Sequence, residues 1–169
     1  KEDAWEGGLR VPLIVHWPDK IKTPQKNNDM ICLSDLMATF ADVVGDHLKT
    51  GEGEDSYSFY SYLFNSNAPQ VRKSMVVSAG GNGALVIREG NWKFIQAAPK
   101  QRWEKTYWPL QKRIKERQLY NLKDDISEKT NLFNEKPEIA KELRLIIRKV
   151  EQNVKSEGNQ NPSPAISKN

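Results

Sequence analysis

The chain has 169 residues, which is enough for one domain with a hydrophobic core or for a small domain that carries part of a larger one. Its residues are 28% charged and no apolar run is long enough to cross a bilayer, so we expect no membrane partner. The net charge of +4 permits attraction to polyanions but is too small to indicate a nucleic-acid partner, and the single cysteine, Cys32, excludes an internal disulfide framework.

The first elements predicted along the chain are one strand and one helix. Residues 12–17 form a continuous apolar run between prolines, which is typical of a strand covered on both faces. Residues 34–45 carry apolar side chains at helical spacing, with Ser34 as the N-cap and Gly45 as the C-terminal stop. A strand and a helix cannot form a domain alone, so we expect this part of the chain to dock on a larger sheet.

The next stretch predicts an antiparallel sheet. Residues 46–73 are rich in turn-forming residues and indicate a connection with one short helix. Beyond it, residues 74–79, 84–88 and 92–96 are rich in β-branched and aromatic residues and are separated by glycine-containing turns, as in a three-stranded meander. Residues 118–122 supply a fourth strand.

The last ordered element predicted is a helix over residues 137–155. Proline suits the first turn of a helix, and the apolar residues that follow Pro137 form one stripe, so the helix should lie across one face of the sheet. Residues 156–169 have too little apolar surface to offset their ordering entropy and are predicted to be disordered. The pattern as a whole predicts an α+β fold, a small four-stranded antiparallel sheet with a packed C-terminal helix, preceded by a strand and a helix.

Several segments of the chain together resemble one enzyme family. The chain opens with Lys1-Glu-Asp-Ala-Trp5-Glu6-Gly7-Gly8-Leu9-Arg10-Val11-Pro12. Further segments follow in order, namely Trp17-Pro-Asp-Lys-Ile-Lys and residues 31–45, 84–95 and 119–132. In type, order and spacing these segments resemble the type I sulfatases, the formylglycine-dependent, arylsulfatase-like enzymes that hydrolyse sulfate esters. The resemblance concerns only the C-terminal part of that family.

The resemblance implies a division of the chain. Residues 1–48 correspond to the C-terminal remnant of an alkaline-phosphatase-like α/β catalytic domain, and residues 49–73 to a connecting segment. Residues 74–155 correspond to the C-terminal antiparallel subdomain of the family, and residues 156–169 to a tail. In the parent enzyme the catalytic domain would cover the apolar groups of residues 9–17 and 36–44. Without it they face water, so we expect the chain to self-associate.

One catalytic group is implied by the resemblance. Lys1 matches the lysine four residues before the aromatic of the family motif, which in sulfatases donates to the sulfate oxygens. An ammonium group in a water-poor pocket stabilises charge on the sulfuryl oxygens as the S–O bond breaks. Glu6, Gly7, Gly8 and Arg10 are expected to serve structure, since paired glycines let the backbone pass close to its neighbours or take positive φ.

The nucleophile and the metal of the family find no match in this sequence. The formylglycine of sulfatases is made from Cys or Ser in a Cys/Ser-x-Pro-x-Arg motif, whereas the chain reads Cys32-Leu33-Ser34-Asp35-Leu36. Cys32 is therefore not the nucleophile, and no arrangement of Asp and Asn resembles the family's calcium ligands. We expect no metal site within this chain, calcium and formylglycine in the rest of the parent enzyme, and no activity from the chain by itself.

Two loops are candidates for substrate contact. Gly81 and Asn82 lie in the turn between the first two predicted strands, where loops of this family can line the rim of the pocket; the alternative is a plain hairpin turn. Residues 100–117 interleave basic residues with three aromatics, among them Trp103. Such residues stack on sugar rings and attract sulfate or phosphate, and the alternative is a solvated loop with its aromatics against the sheet.

Three functional interpretations stay open at this point. The first is the C-terminal portion of a periplasmic or secreted sulfatase that hydrolyses carbohydrate or aryl sulfates, with an organic sulfate ester such as a sulfated glycan as its partner. The second is part of a related phosphodiesterase or phosphonate hydrolase of the alkaline phosphatase superfamily. The third is a polyanion-binding module built on the basic aromatic insertion, although no recognised nucleic-acid motif accompanies it.

Overall fold

The computed structural model describes residues 3–79, 83–97, 114 and 116–158, with the backbone alone for residues 154–158. The described residues form two compact units, one made of the residues up to Arg10 together with those from Val76, the other of Val11–Met75. In chain order the elements are helix α1 (Glu6–Leu9), helix α2 (Asp35–Val43), a 3₁₀ turn (Tyr60–Leu63), strands β1 (Ser74–Ala79), β2 (Ala84–Glu89), β3 (Trp92–Ile95) and β4 (Gln118–Asn121), and helix α3 (Pro137–Gly158).

The four strands form one sheet in the order β1-β2-β3-β4, which confirms the predicted antiparallel meander. Strands β2 and β3 are joined by the two-residue turn that Gly90 begins, and Gly90 takes a φ of +55°, a value that costs glycine little. This turn sets the register of the hairpin, in which Arg88 lies opposite Lys93. Lys93 in turn lies opposite Tyr120 of β4.

Helix α3 covers one face of the sheet, as its apolar stripe predicts. Leu143 and Ile147 are 2% and 0% exposed and pack against Phe94 and Leu119. The helix extends to Gly158 instead of ending at Lys155, since no glycine or proline interrupts it earlier.

The opposite face of the sheet is covered by the N-terminal segment, which the sequence analysis did not anticipate. Ala4 is fully buried there, and Trp5 and Leu9 pack beside it. The sheet residues beneath them are Ala79, Ala84, Val86, Ile95, Tyr120 and Leu122, with Ile114 in the same cluster. The strands β2 and β3 are therefore buried on both sides, in keeping with their nearly continuous apolar sequence.

The unit of residues 11–75 is organised by a buried ion pair. Asp35 is fully buried at the start of α2, and its carboxylate accepts hydrogen bonds from the backbone N–H groups of Cys32, at 2.7 Å, and Tyr57, at 2.9 Å. Arg72 completes the arrangement with a bidentate contact to the same carboxylate and lies 4.7 Å from the centre of the Tyr57 ring. Because every lone pair of Asp35 that faces the interior has a donor, burial of this charge is compensated.

Two local predictions in this unit are wrong. Residues 12–17 belong to no regular element, and Ile14 is 88% exposed, because a strand needs a neighbouring backbone and none pairs with this segment among the described residues. Ser34 makes no side-chain cap on α2, since its hydroxyl donates to the Asp55 carbonyl at 3.3 Å instead. The stop at Gly45 is confirmed by its φ of +76° just beyond the helix.

Candidate functional site

The motif segment is the stretch of residues 1–12, and within it Glu6–Leu9 form the single-turn helix α1. Three backbone hydrogen bonds close this turn: the N–H groups of Gly8, at 2.8 Å, and Leu9, at 3.2 Å, donate to the Trp5 carbonyl, and the Arg10 N–H donates to the Glu6 carbonyl at 2.8 Å. An isolated helix of four residues has no stability of its own in water, so contacts with the sheet must hold it.

The surroundings of α1 require glycine at only one of its two glycine positions. A Cβ on Gly8 would lie 2.5 Å from the carbonyl oxygen and 2.7 Å from the nitrogen of Asp3, so only glycine lets residue 3 pass this closely. A Cβ on Gly7 would meet nothing within 4 Å. Neither has the positive φ that the sequence analysis allowed for, and the predicted close approach is confirmed at Gly8 alone.

A polar chain ties Trp5 to the sheet. The indole N–H of Trp5 donates to Gln118 Oε1 at 3.0 Å, and the same oxygen accepts the Tyr120 hydroxyl at 2.8 Å. Burial is the main reason that the pKa of Tyr120 is raised, with a smaller contribution from the charge of Glu128. The phenol therefore stays protonated and serves as a donor throughout the physiological range.

Beside this chain lies a charge cluster made of Glu6, Arg88, Lys93 and Glu128. Lys93 is 1% exposed, and its ammonium nitrogen lies 2.9 Å from Glu6 Oε1 and 2.8 Å from Glu128 Oε1. Arg88, directly opposite Lys93 in the sheet, lies 3.8 Å from Glu6 Oε2. Two cations side by side on one sheet face repel each other, and the two carboxylates neutralise them.

Glu128 reaches the cluster because the connection after β4 is held in an unusual shape. Glu128 has a φ of +53°, in the left-handed region that non-glycine residues seldom occupy. Asp125 supports this turn: its Oδ2 accepts the Thr130 N–H at 2.8 Å, and such backbone donors, chiefly that of Thr130, hold the pKa of Asp125 below its usual value. The Glu128 carboxylate also accepts the backbone N–H of Glu6 at 2.5 Å.

The charge cluster is suited to positioning and not to catalysis. The ammonium of Lys93 is enclosed by two carboxylates and has almost no exposed surface, so it is not presented to a ligand. Glu6 is held through both its side chain and its backbone N–H, which fixes the start of α1 on the sheet. The arrangement therefore clamps the motif segment in one position.

The predicted site residues fall outside the part of the chain that the structure describes. Lys1, Gly81, Asn82 and Trp103 all lie there, so their proposed contacts stay predictions.

Lys93 and Glu128 are the site residues that the sequence analysis missed. A lysine between the apolar neighbours Trp92 and Phe94 was a usable signal, because the alternation of a strand places it on the opposite face from them. With both faces of β3 buried, such a lysine requires an acidic partner.

Within residues 3–79, 83–97, 114 and 116–158, no group of three or more His, Cys, Asp and Glu side chains could hold a metal ion. The residues described here therefore do not fit a calcium site. In the same part of the chain, no helix combines the length and the apolar character needed to cross a membrane.

Comparison with known proteins identifies relatives along most of the chain. The family model described as Sulfatase matches residues 1–46. An N-acetylgalactosamine-6-O-sulfatase of Bacteroides thetaiotaomicron is 31% identical over 152 residues, an alignment that covers 89% of this chain and 29% of the relative. Arylsulfatase G of Rattus norvegicus is 26% identical over 153 residues, covering 88% of this chain and 29% of the relative.

A solved structure is similar to most of this chain in both fold and sequence. It comes from work on the metabolism of multiple glycosaminoglycans by Bacteroides thetaiotaomicron, and it superposes with a TM-score of 0.76 and 30% sequence identity over 90% of this chain and 31% of that one. This chain thus spans less than a third of the length of these relatives. Its α+β fold, its opening motif and these alignments lead to one conclusion: the chain belongs to the sulfatase family and corresponds to the C-terminal part of the family's members.

Proposed function

We propose that this chain is the C-terminal part of an enzyme that hydrolyses sulfate esters of a carbohydrate. The observation that carries the proposal is the clamped motif segment, in which Trp5 and Glu6 are fastened to the sheet by Gln118, Lys93 and Glu128. An N-acetylgalactosamine-6-O-sulfatase that aligns with 89% of the chain supports a sulfated glycan as the substrate class. A periplasmic or secreted location belongs to the same proposal.

Lys1 is the residue to which we assign a catalytic role. It lies four positions before Trp5, whose indole is anchored on the sheet. The clamp therefore fixes the point on the sheet from which the chain runs back to Lys1. An ammonium placed against the sulfuryl oxygens stabilises the negative charge that grows on them as the ester bond breaks. In this proposal Lys93 is a positioning residue, which acts on Lys1 through Glu6 and α1.

The nucleophile and calcium are assigned to the rest of the enzyme. The described residues hold no set of metal ligands, and the sequence around Cys32 lacks the proline and arginine of the formylglycine motif. The chain by itself is expected to be inactive.

Turnover of a chromogenic aryl sulfate tests the proposal directly. The whole enzyme should release the phenol, while the purified 169-residue chain should not exceed the buffer rate. Parallel assays with an aryl phosphodiester and an aryl phosphonate distinguish a sulfatase from a related phosphodiesterase or phosphonate hydrolase. Preference for either phosphorus substrate would overturn the proposal.

Lys1→Ala in the whole enzyme tests the assigned role. Removal of one donor to developing charge should lower kcat by about 10²–10³, with a smaller effect on KM, since the interaction strengthens in the transition state. Lys20→Ala, an exposed lysine of the same chain, is the matched control and should leave kcat unchanged. An unaltered kcat in Lys1→Ala would remove this residue from the site.

A further inference from the structure

A basic groove runs along helix α3 on the side of the sheet that α1 does not cover. Its volume is about 330 Å³, near the lower end of ligand-binding pockets, which hold about 300–1,000 Å³. The residues that line it are Arg117, Phe133, Asn134, Pro137, Ala140, Lys141, Arg144, Leu145 and Arg148. Those on α3 recur every three or four positions and so form one stripe of the helix.

The positive charges of this groove have few anionic partners among the described residues. In the described part of the chain, no carboxylate lies within ion-pair distance of Arg117, Arg144 or Arg148. Lys141 has only a loose contact with Glu138, at 3.8 Å, and both side chains are largely exposed. The groove therefore gathers three arginines that have no ion-pair partner among the described residues.

The arginines are close enough to disfavour each other's charge. Partial burial lowers the pKa of Arg144, and the nearby guanidinium groups of Arg117 and Arg148 lower it further, while Glu151 opposes them. A bound anion would relieve this repulsion. Guanidinium groups suit the purpose, because their planar fork binds two oxygens of a sulfate or phosphate at once.

One aromatic ring gives the groove an apolar wall. Phe133 lines it, and the guanidinium carbon of Arg117 lies 6.0 Å from the centre of the Phe133 ring. Aromatic faces stack on the apolar face of a sugar ring. A single ring beside several arginines fits a short stretch of charged carbohydrate better than a strand of nucleic acid, whose successive bases need successive aromatic platforms.

We propose that this groove binds sulfate groups of a sulfated glycan chain, with Arg117, Arg144 and Arg148 as the sulfate ligands and Phe133 against a sugar ring. The ligand class rests on the function proposed above. Helix α3 and α1 lie on opposite faces of the sheet, so the groove would hold a part of the polymer other than the ester next to the motif segment. Binding here would retain a long substrate between successive reactions.

Titration calorimetry on the purified chain tests the groove. The probe is a glycosaminoglycan oligosaccharide that carries N-acetylgalactosamine 6-sulfate, and its desulfated form is the comparison. Arg144→Ala and Arg117→Ala should each weaken binding of the sulfated probe about tenfold, as expected for the loss of charge-assisted hydrogen bonds. Lys149→Ala removes an exposed charge from the same helix outside the groove and should change affinity less than about twofold.

Three outcomes would overturn the inference. These are an equal loss of affinity in Lys149→Ala, equal binding of the desulfated probe, and equally tight binding of single-stranded DNA of the same charge. Circular dichroism shows whether each variant keeps its fold, and Arg117→Ala, outside α3, gives a second reading if Arg144→Ala unfolds. Since calorimetry measures binding without turnover, a whole enzyme that fails to cleave aryl sulfate would overturn the proposed function and leave the binding result standing.

Discussion

Lys93 is a cation inside an apolar sheet, and its surroundings account for its presence there. A lone ammonium in such a place would shift its pKa or unfold the site, because its hydration is lost. Lys93 instead lies between Glu6, from the start of the chain, and Glu128, from the connection after β4. Its charge joins two segments that also meet directly, through the hydrogen bond from the Glu6 N–H to the Glu128 carboxylate, so the pairing serves specificity as much as stability.

Replacement of Lys93 should be costly. In Lys93→Met the two carboxylates lose their shared partner within the protein, and breaking a buried ion pair from one side costs about 3–5 kcal/mol. The free energy of unfolding, measured with urea, checks this value. Lys123→Met removes an exposed lysine and should change the free energy by less than about 0.5 kcal/mol.

A triple variant separates the contribution of the Lys93 charge to stability from the contribution of its packing. If Lys93→Met is combined with Glu6→Gln and Glu128→Gln, no carboxylate is left unpaired, and part of the lost stability should return. Loss of the same stability in the triple variant would mean that packing, and not charge, explains the effect of Lys93.

The adjacent glycines of α1 allow a second comparison of residues. Gly8→Ala forces a methyl group into the backbone of Asp3 and should dislodge the motif segment, seen in the fluorescence of Trp5 as a loss of its partly buried environment. Gly7→Ala meets no atom and adds helix propensity, so it should be neutral or stabilise by up to about 1 kcal/mol. Similar behaviour of the two variants would contradict the close approach at residue 3.

At the scale of elements, the sequence predicted what depends on local pattern. The four strands and helix α3 were found from β-branched runs, glycine turns and one apolar stripe, and their bounds agree within a few residues. The cover on the second face of the sheet was not found, because Trp5 and Gln118 are 113 residues apart and no local pattern links them. The continuous apolar character of β2 and β3 was the available clue.

In helix α2, the spacing of the apolar residues does not predict which side chains are buried. Its apolar spacing predicts a buried face, yet Phe40 is 60% exposed, and the fully buried residues include Asp35 and Thr39. The Thr39 hydroxyl donates to the Asp35 carbonyl at 2.7 Å and accepts the Phe59 N–H at 3.0 Å. Which face of α2 is covered in this chain was decided by a polar network that joins three distant segments, and spacing cannot reveal such a network.

The packing of α3 can be tested within the helix itself. Leu143→Ala empties a site that is 2% exposed and should cost about 2–5 kcal/mol of unfolding free energy. Leu145 lies on the same helix but is 48% exposed, so Leu145→Ala should cost much less. Equal costs for the two would contradict the orientation of the helix on the sheet.

At the scale of the whole molecule, the apolar surface is unevenly distributed. The exposed large apolar side chains include a group in residues 11–75, namely Val11, Leu13, Ile14, Val15, Leu33, Met37, Phe40 and Val44. So many exposed large apolar side chains in one unit are typical of a surface that another protein or domain covers. In the proposed parent enzyme the catalytic domain would cover these side chains, and the self-association of the isolated chain stays a prediction.

Sedimentation velocity checks that prediction. We expect the isolated chain to grow in mass as its concentration rises, because each Å² of apolar surface removed from water contributes about 25 cal/mol. Phe40→Glu places a charge among these exposed apolar side chains and should shift the chain towards the monomer. Ile126→Glu alters a side chain that is 50% exposed in the other unit and should leave the association unchanged. A chain that stays monomeric at every concentration would rule the prediction out.

The cover that the N-terminal segment forms on the sheet has a consequence for biosynthesis. Glu6 emerges from the ribosome 87 residues before Lys93 and 122 residues before Glu128, so the motif segment lacks these partners until both of those later residues have been made. Contacts this far apart in sequence close slowly, because the entropy of a long loop must first be lost. The lysine that we assign to catalysis would thus gain this support only after Glu128 has been made, and a ribosome that stops before that residue would release a protein whose reactive lysine has no support.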